Sequence, residues 1–97
     1  MTVRHNAPSQ RYELFLDGER VGLLDYRPTE DALAFVHTEI ESHLRGNGLG
    51  AQLVRGAHDD LRERGRRVLP VCPFVADFIA DHPEYEDLLA QYSTRSR

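Results

Sequence analysis

The sequence predicts an α/β domain of the α+β kind: an antiparallel strand meander, a strand–helix–strand crossover, then short C-terminal helices. Three observations carry that prediction. Asp17-Gly18 stands between two strand-like runs, a strong short-range hairpin signal. Arg45-Gly46-Asn47-Gly48-Leu49-Gly50 joins a strand-like segment to the one strongly amphipathic helix of the chain. Pro70 falls inside the strand candidate after that helix, where its missing N–H is tolerated only if no ladder needs it.

In chain order, residues 1–10 carry little pattern and read as a loose lead-in. Arg11 to Leu16 is a strand candidate with Tyr12, Leu14 and Leu16 on one face. Beyond the Asp17-Gly18 turn, the return strand runs from Glu19 to Tyr26. Val21, Leu23 and Asp25 share one of its faces, and Gly22, Leu24 and Tyr26 the other. Arg27-Pro28-Thr29-Glu30-Asp31 is a turn. Ala32 to Ile40, rich in aromatic and β-branched residues at its centre, makes the third strand.

The amphipathic helix spans about Gly48 to Arg64. Leu49, Leu53, Val54, Ala57 and Leu61 fall on one face, and Gly65 stands where a C-terminal glycine cap belongs. Arg66 to Cys72 reads as a fourth strand, parallel to Ala32–Ile40 because a crossover helix joins them. Pro70 implies that these two strands part near the end, leaving a gap. Pro73 opens a helix to Ala80, Asp81-His82-Pro83 interrupts it, and Glu84 to Gln91 closes the fold with Tyr85, Leu88 and Leu89 inward. The polar tail 93–97 reads as frayed.

Composition narrows the function classes. Ninety-seven residues support one domain, 1–97, with one modest core. No apolar run approaches the ~20 residues that span a bilayer, and no apolar leader is visible, so neither membrane nor secretion is expected. A single cysteine allows no internal disulfide, which suits a cytoplasmic setting. A formal charge of −4 argues against nucleic acid, although Arg62, Arg64, Arg66 and Arg67 make a local basic patch.

The glycine-rich stretch is the chemical centre. Alternate glycines let a backbone turn sharply and bring its N–H groups close to a ligand. A helix start adds roughly half a positive charge. Together they make an anion cradle suited to phosphate or pyrophosphate. It is not a nucleoside-triphosphate loop, since Ala51-Gln52 stands where Lys-Ser/Thr is required. Nor does it have the G-x-G-x-x-G dinucleotide spacing. His37-x-Glu39 with Pro70-x-Cys72 faintly resembles a zinc deaminase, but Val75 occupies the position of the needed second cysteine. A thioredoxin-like peroxidase is excluded by chain length and element order. His5, His43, His58 and His82 lack metal-ligand spacing, so no metal is expected and they read as surface or structural residues.

Arg45-Gly46-Asn47-Gly48-Leu49-Gly50 resembles the Arg/Gln-x-x-Gly-x-Gly/Ala signature of the GNAT N-acetyltransferase superfamily. A small subfamily of about this length is especially similar. It has His-Thr-Glu before the signature, here His37-Thr38-Glu39, and Pro-x-Cys after the next strand, here Pro70-Val71-Cys72. The resemblance runs from Arg11 to Leu89 and implies acetyl-CoA as cofactor. It implies that the amides of Gly46, Asn47, Gly48, Leu49, Gly50 and Ala51 hold the pyrophosphate, while Arg45, which opens the signature, either touches phosphate or only anchors the turn. It further implies that the pantetheine arm pairs with Thr38, Glu39 and Ile40 and enters the gap marked by Pro70. Larger members have N-terminal helices and a C-terminal strand pair that shape the acceptor pocket; this chain has no counterpart of them.

Cys72 would stand at the mouth of the gap, beside a helix start that favours a thiolate. There it could carry the acetyl group or protonate the departing thiol. The plain alternative is a buried cysteine acting as a small apolar residue. Glu39 or His37, on one face of the third strand, could take the proton of an amine; a solvated sheet edge is their plain alternative. The resulting expectation is an acetyl-CoA-dependent N-acetyltransferase acting on an unidentified amine, monomeric or weakly dimeric. A non-catalytic acyl-CoA-binding module is the alternative.

Overall fold

The computed structural model describes residues 1–90. One mixed sheet runs in the order β1 (Thr2–Asn6), β2 (Arg11–Leu16), β3 (Glu19–Pro28), β4 (Leu33–Ile40), β5 (Val68–Pro70). Its first four strands are antiparallel neighbours, and β5 runs parallel to β4 through the crossover helix α1 (Leu49–Arg64). A 3₁₀ turn, Ser42–Leu44, precedes the glycine stretch; helix α2 (Pro73–Asp81) and a 3₁₀ segment, Pro83–Leu88, close the chain. No helix among the described residues is long and apolar enough to cross a membrane.

The hairpin turn is built as its residues demand. Asp17 and Gly18 both take positive φ, 52° and 82°, and Leu16 pairs directly with Glu19. That is a two-residue type I′ loop, whose twist matches the flanking strands. Helix α1 ends on Gly65 at φ 67°. Its N–H donates to Arg62 O, and the Arg66 N–H to Leu61 O, a Schellman cap.

The apolar face of α1 packs across β1 to β4. Leu53, Val54, Ala57 and Leu61 are fully buried against Tyr12, Leu14, Leu24 and Phe35. Burying each Leu or Val there contributes about 1.5–3 kcal/mol relative to leaving it exposed. The phenolic O–H of Tyr12 donates to Asp60 Oδ2 at 2.6 Å, and burial raises its pKa, with that bond adding to the shift.

Three readings of the sequence are corrected. Thr2–Asn6 is no loose lead-in but the edge strand β1, held by His5, which stacks on Tyr12 at 4.6 Å and bonds the Tyr26 hydroxyl. β1 also packs on α1 at Gly56, where a Cβ would lie 2.6 Å from Val3 Cγ2. The strand expected over Arg66–Cys72 is only Val68–Pro70, because Pro70 ends the ladder and Cys72 becomes the N-cap of α2. The closing helix is 3₁₀ and stops at Leu88, since Leu89 and Ala90 are drawn out along β5, the Ala90 N–H donating to Val68 O. The fraying expected of the tail 93–97 falls outside the described residues.

His58, expected at the surface or in a structural role, is wholly buried. It falls on the apolar face of α1, its Nδ1 bonds Val54 O at 2.7 Å, and its Nε2 has no partner among the described residues. Phe35, Phe78 and Tyr85 surround the ring. Burial lowers its pKa from 6.5. The unfolded chain therefore takes up this proton first: its contribution to stability is complete above pH 6.5 and declines as pH falls below that value. Urea unfolding of His58→Leu should show a shallower loss of stability between pH 7 and 5 than the parent protein. An unchanged slope would contradict the burial of a neutral imidazole; His5, whose pKa burial also lowers, stays in both proteins as a common background.

Candidate active site

β4 and β5 pair over three positions only: Leu33 with Val68, Ala34 with Leu69, Phe35 with Pro70. The Cys72 N–H then donates to Phe35 O at 2.8 Å, and the chain turns away into α2. β4 continues to Ile40 with no strand on that side among the described residues, and its edge from Val36 onward borders a gap.

Across the sheet, β4 carries a bulge. Tyr26 faces Phe35, but Asp25 faces His37, leaving Val36 as the extra residue. The bulge reverses the alternation of side chains. Phe35 points into the core beside Tyr26; two residues later His37 shares the outer face with Asp25. Thr38, opposite Leu24, and Ile40, opposite Gly22, are thereby turned toward the helices, and His37 and Glu39 toward solvent.

At the far end of the gap lies the glycine turn. Gly46 and Gly48 take φ values of 86° and 75°, left-handed conformations that cost other residues. Gly48 is the N-cap of α1, and no side chain of the described residues caps that helix start. Its carbonyl accepts from Gln52. The N–H groups of Gly46 to Ala51 have no acceptor among the described residues. They are donors at the positive end of a sixteen-residue helix.

Between the free edge of β4 and the start of α1 is a cavity of about 520 Å³. Thr38, Glu39 and Ile40 line one wall, the stretch from Leu44 to Ala51 most of another, and Phe74 of α2 the side between. Arg45 stands at the rim, its Nε 3.4 Å from Ile40 O, and Asn47 steadies the turn by donating to Leu44 O at 2.9 Å. Of the residues read from the sequence as cofactor-binding, all but Asn47 line this one opening; Asn47 lies within the turn that borders it.

The three catalytic candidates are not brought together. Cys72 is buried, with its Sγ 3.5 Å from Thr38 Oγ1 on the helix side of β4. His37 and Glu39 are on the outer face and bond each other, Nε2 to Oε2 at 2.9 Å. That bond from His37 is the main cause holding the Glu39 carboxyl below its usual pKa. Glu39 thus stays an anion and becomes a weaker base. Phe74 is a residue of the site that sequence reasoning passed over, and Thr38, expected there by its backbone, also turns its side chain toward the helices. For Thr38 the missing signal was the bulge; for Phe74 it was the closeness of α2 to α1.

The sequence profile of the family described as GCN5-related N-acetyl-transferase matches residues 11–88. No curated protein sequence matches the chain. Among solved structures, a GCN5-like protein from Staphylococcus aureus, seen in solution, superposes with a TM-score of 0.69 at 16% identity, over 92% of this chain and 87% of that one. Ribosomal-protein-alanine N-acetyltransferase from Brucella melitensis biovar Abortus 2308 is similar at a TM-score of 0.50 and 21% identity, over 82% of this chain and 62% of that one. The present chain thus spans about three-fifths of that enzyme's length. With the family's profile running through every element from β2 to the closing 3₁₀ segment, the chain belongs to the GCN5-related N-acetyltransferases.

Proposed function

We propose that the protein binds acetyl-CoA in the gap between β4 and β5 and transfers the acetyl group to a primary amine. The observation that carries this reading is the joining of a free strand edge to unpaired helix-start amides by a single cavity. A diphosphate needs several N–H donors with no charge repulsion, which Gly46 to Ala51 offer. A pantetheine arm, with its two amides, needs main-chain partners in strand spacing, which Thr38 to Ile40 offer. When bound, acetyl-CoA supplies an activated thioester carbonyl.

The remaining work falls to this chain. Amides of β4 beyond the bulge orient the carbonyl and stabilise charge developing on its oxygen. Cys72, bonded to Thr38, stands where the two strands divide and is the group that returns a proton to the departing sulfur. Glu39, an exposed carboxylate at the rim, attracts a cationic amine, and its partner His37 takes the proton that the amine must lose. The C–S bond breaks and the C–N bond forms; of the two protons a cationic amine gives up, one leaves through His37 to solvent and the other balances the proton that Cys72 gave to the departing thiol.

Two outcomes test this. Gly48→Val places a β-branched residue at φ 75°, a strain of about 1–3 kcal/mol in that turn. Calorimetric titration should find CoA bound at least tenfold more weakly by this variant, with the circular dichroism of the sheet and helices retained; undiminished affinity would refute the cradle. In a turnover assay on a panel of amines, the parent protein should release CoA and acetylate at least one amine. Cys72→Ser should lower kcat by about 100–10,000-fold, the range expected for one proton-transferring group. Tight CoA binding with no acetylated product from any amine would overturn the transferase reading.

A further inference from the structure

The third glycine of the turn poses a separate question. Gly50 lies inside the first turn of α1 and, unlike Gly46 and Gly48, has no positive φ. Its backbone conformation is open to any residue, and alanine would favour the helix more. What position 50 faces is the ring of Phe74. A Cβ placed there would lie 2.8 Å from Phe74 Cζ and 3.1 Å from Cε2. Glycine is there so that an aromatic ring can rest on the helix start.

Phe74 is itself held in place. Pro73 occupies the first turn of α2 and restricts the backbone just before Phe74, while the Cys72 N–H bonds Phe35 O where the strands part. Yet 44% of Phe74 is exposed, one of three large apolar residues so exposed among the described residues. The ring spans from α2 to α1, borders the cavity, and faces solvent on its remaining surface.

We propose that Phe74 is a cofactor clamp: its ring covers the pantetheine arm where the arm leaves the diphosphate cradle, and Gly50 is kept bare to seat that ring. The proposal rests on the acyl-CoA reading above. Its chemistry is specific. A diphosphate held by amides of Leu49, Gly50 and Ala51 leaves the first apolar part of the arm, its branched dimethyl group, beside the same turn. An aromatic face is suited to a branched alkyl group and would lose its remaining exposure to water on contact. The clamp therefore reads the arm and is indifferent to the nucleotide.

A fragment comparison tests this by calorimetry. Phe74→Ala should weaken CoA binding about tenfold, the scale of losing one partly buried aromatic contact. Affinity for adenosine 3′,5′-bisphosphate, which has no pantetheine, should change less than twofold. Equal losses for both ligands, or no loss for CoA, would overturn the clamp. Because the chain has no tryptophan, Phe74→Trp adds a unique fluorophore and guards against misfolding of the alanine variant. Its emission should shift to shorter wavelength on saturation with CoA. Unshifted emission while calorimetry registers binding would overturn the clamp alone. Failure of the parent protein to bind CoA would overturn the acyl-CoA reading and the clamp with it.

Discussion

The architecture depends on one limited hydrogen-bond ladder. β4 and β5 share three paired positions and then separate at Pro70, which has no N–H to extend the pairing. Were the ladder continued, the edge of β4 from Val36 to Ile40 would be consumed by the sheet. Because it ends, main-chain groups that would otherwise bind a strand are left at the border of a cavity. Parting also frees Cys72 to cap α2, with its side chain against Thr38.

A second constraint decides which side chains reach the opening. The extra residue at Val36 shifts the phase of β4, so Phe35 fills the core and Thr38 and Ile40 still face the helices. A regular strand would have turned His37 and Glu39 inward instead. The same bulge thus separates a sheltered thiol and hydroxyl from an exposed imidazole–carboxylate pair. That division suits a reaction whose two reactants approach from different sides of a thin sheet.

Much of this was legible in the chain because the local and global signals agree. Asp17-Gly18 can hardly be anything but a primed turn; Gly65 after Arg62 and Arg64 marks a helix end; Pro70 foretells the division of strands. The rest depends on contacts distant in sequence. β1 has Val3 as its only strongly apolar residue, and its place is set by stacking on Tyr12 and by the bare Gly56, far along the chain. A one-residue bulge leaves no residue-type signature at Val36, so the two faces of β4 could not be assigned past it. His58 was legible in principle, since it lies on the same helical face as Val54 and Leu61; histidine's usual preference for partial exposure obscured it. Gly50 looked like part of a backbone motif, although its reason is the volume of a ring on another helix.

The central claim is that amides at the start of α1 and along the free edge of β4 hold one ligand between them. Backbone amide NMR of the parent protein during titration with CoA tests it most directly. The account predicts the largest shifts at Gly46 to Ala51 and at Thr38 to Ile40, with Thr2 to Leu16 nearly unmoved. Saturable CoA binding that leaves both groups of amides unperturbed would contradict it.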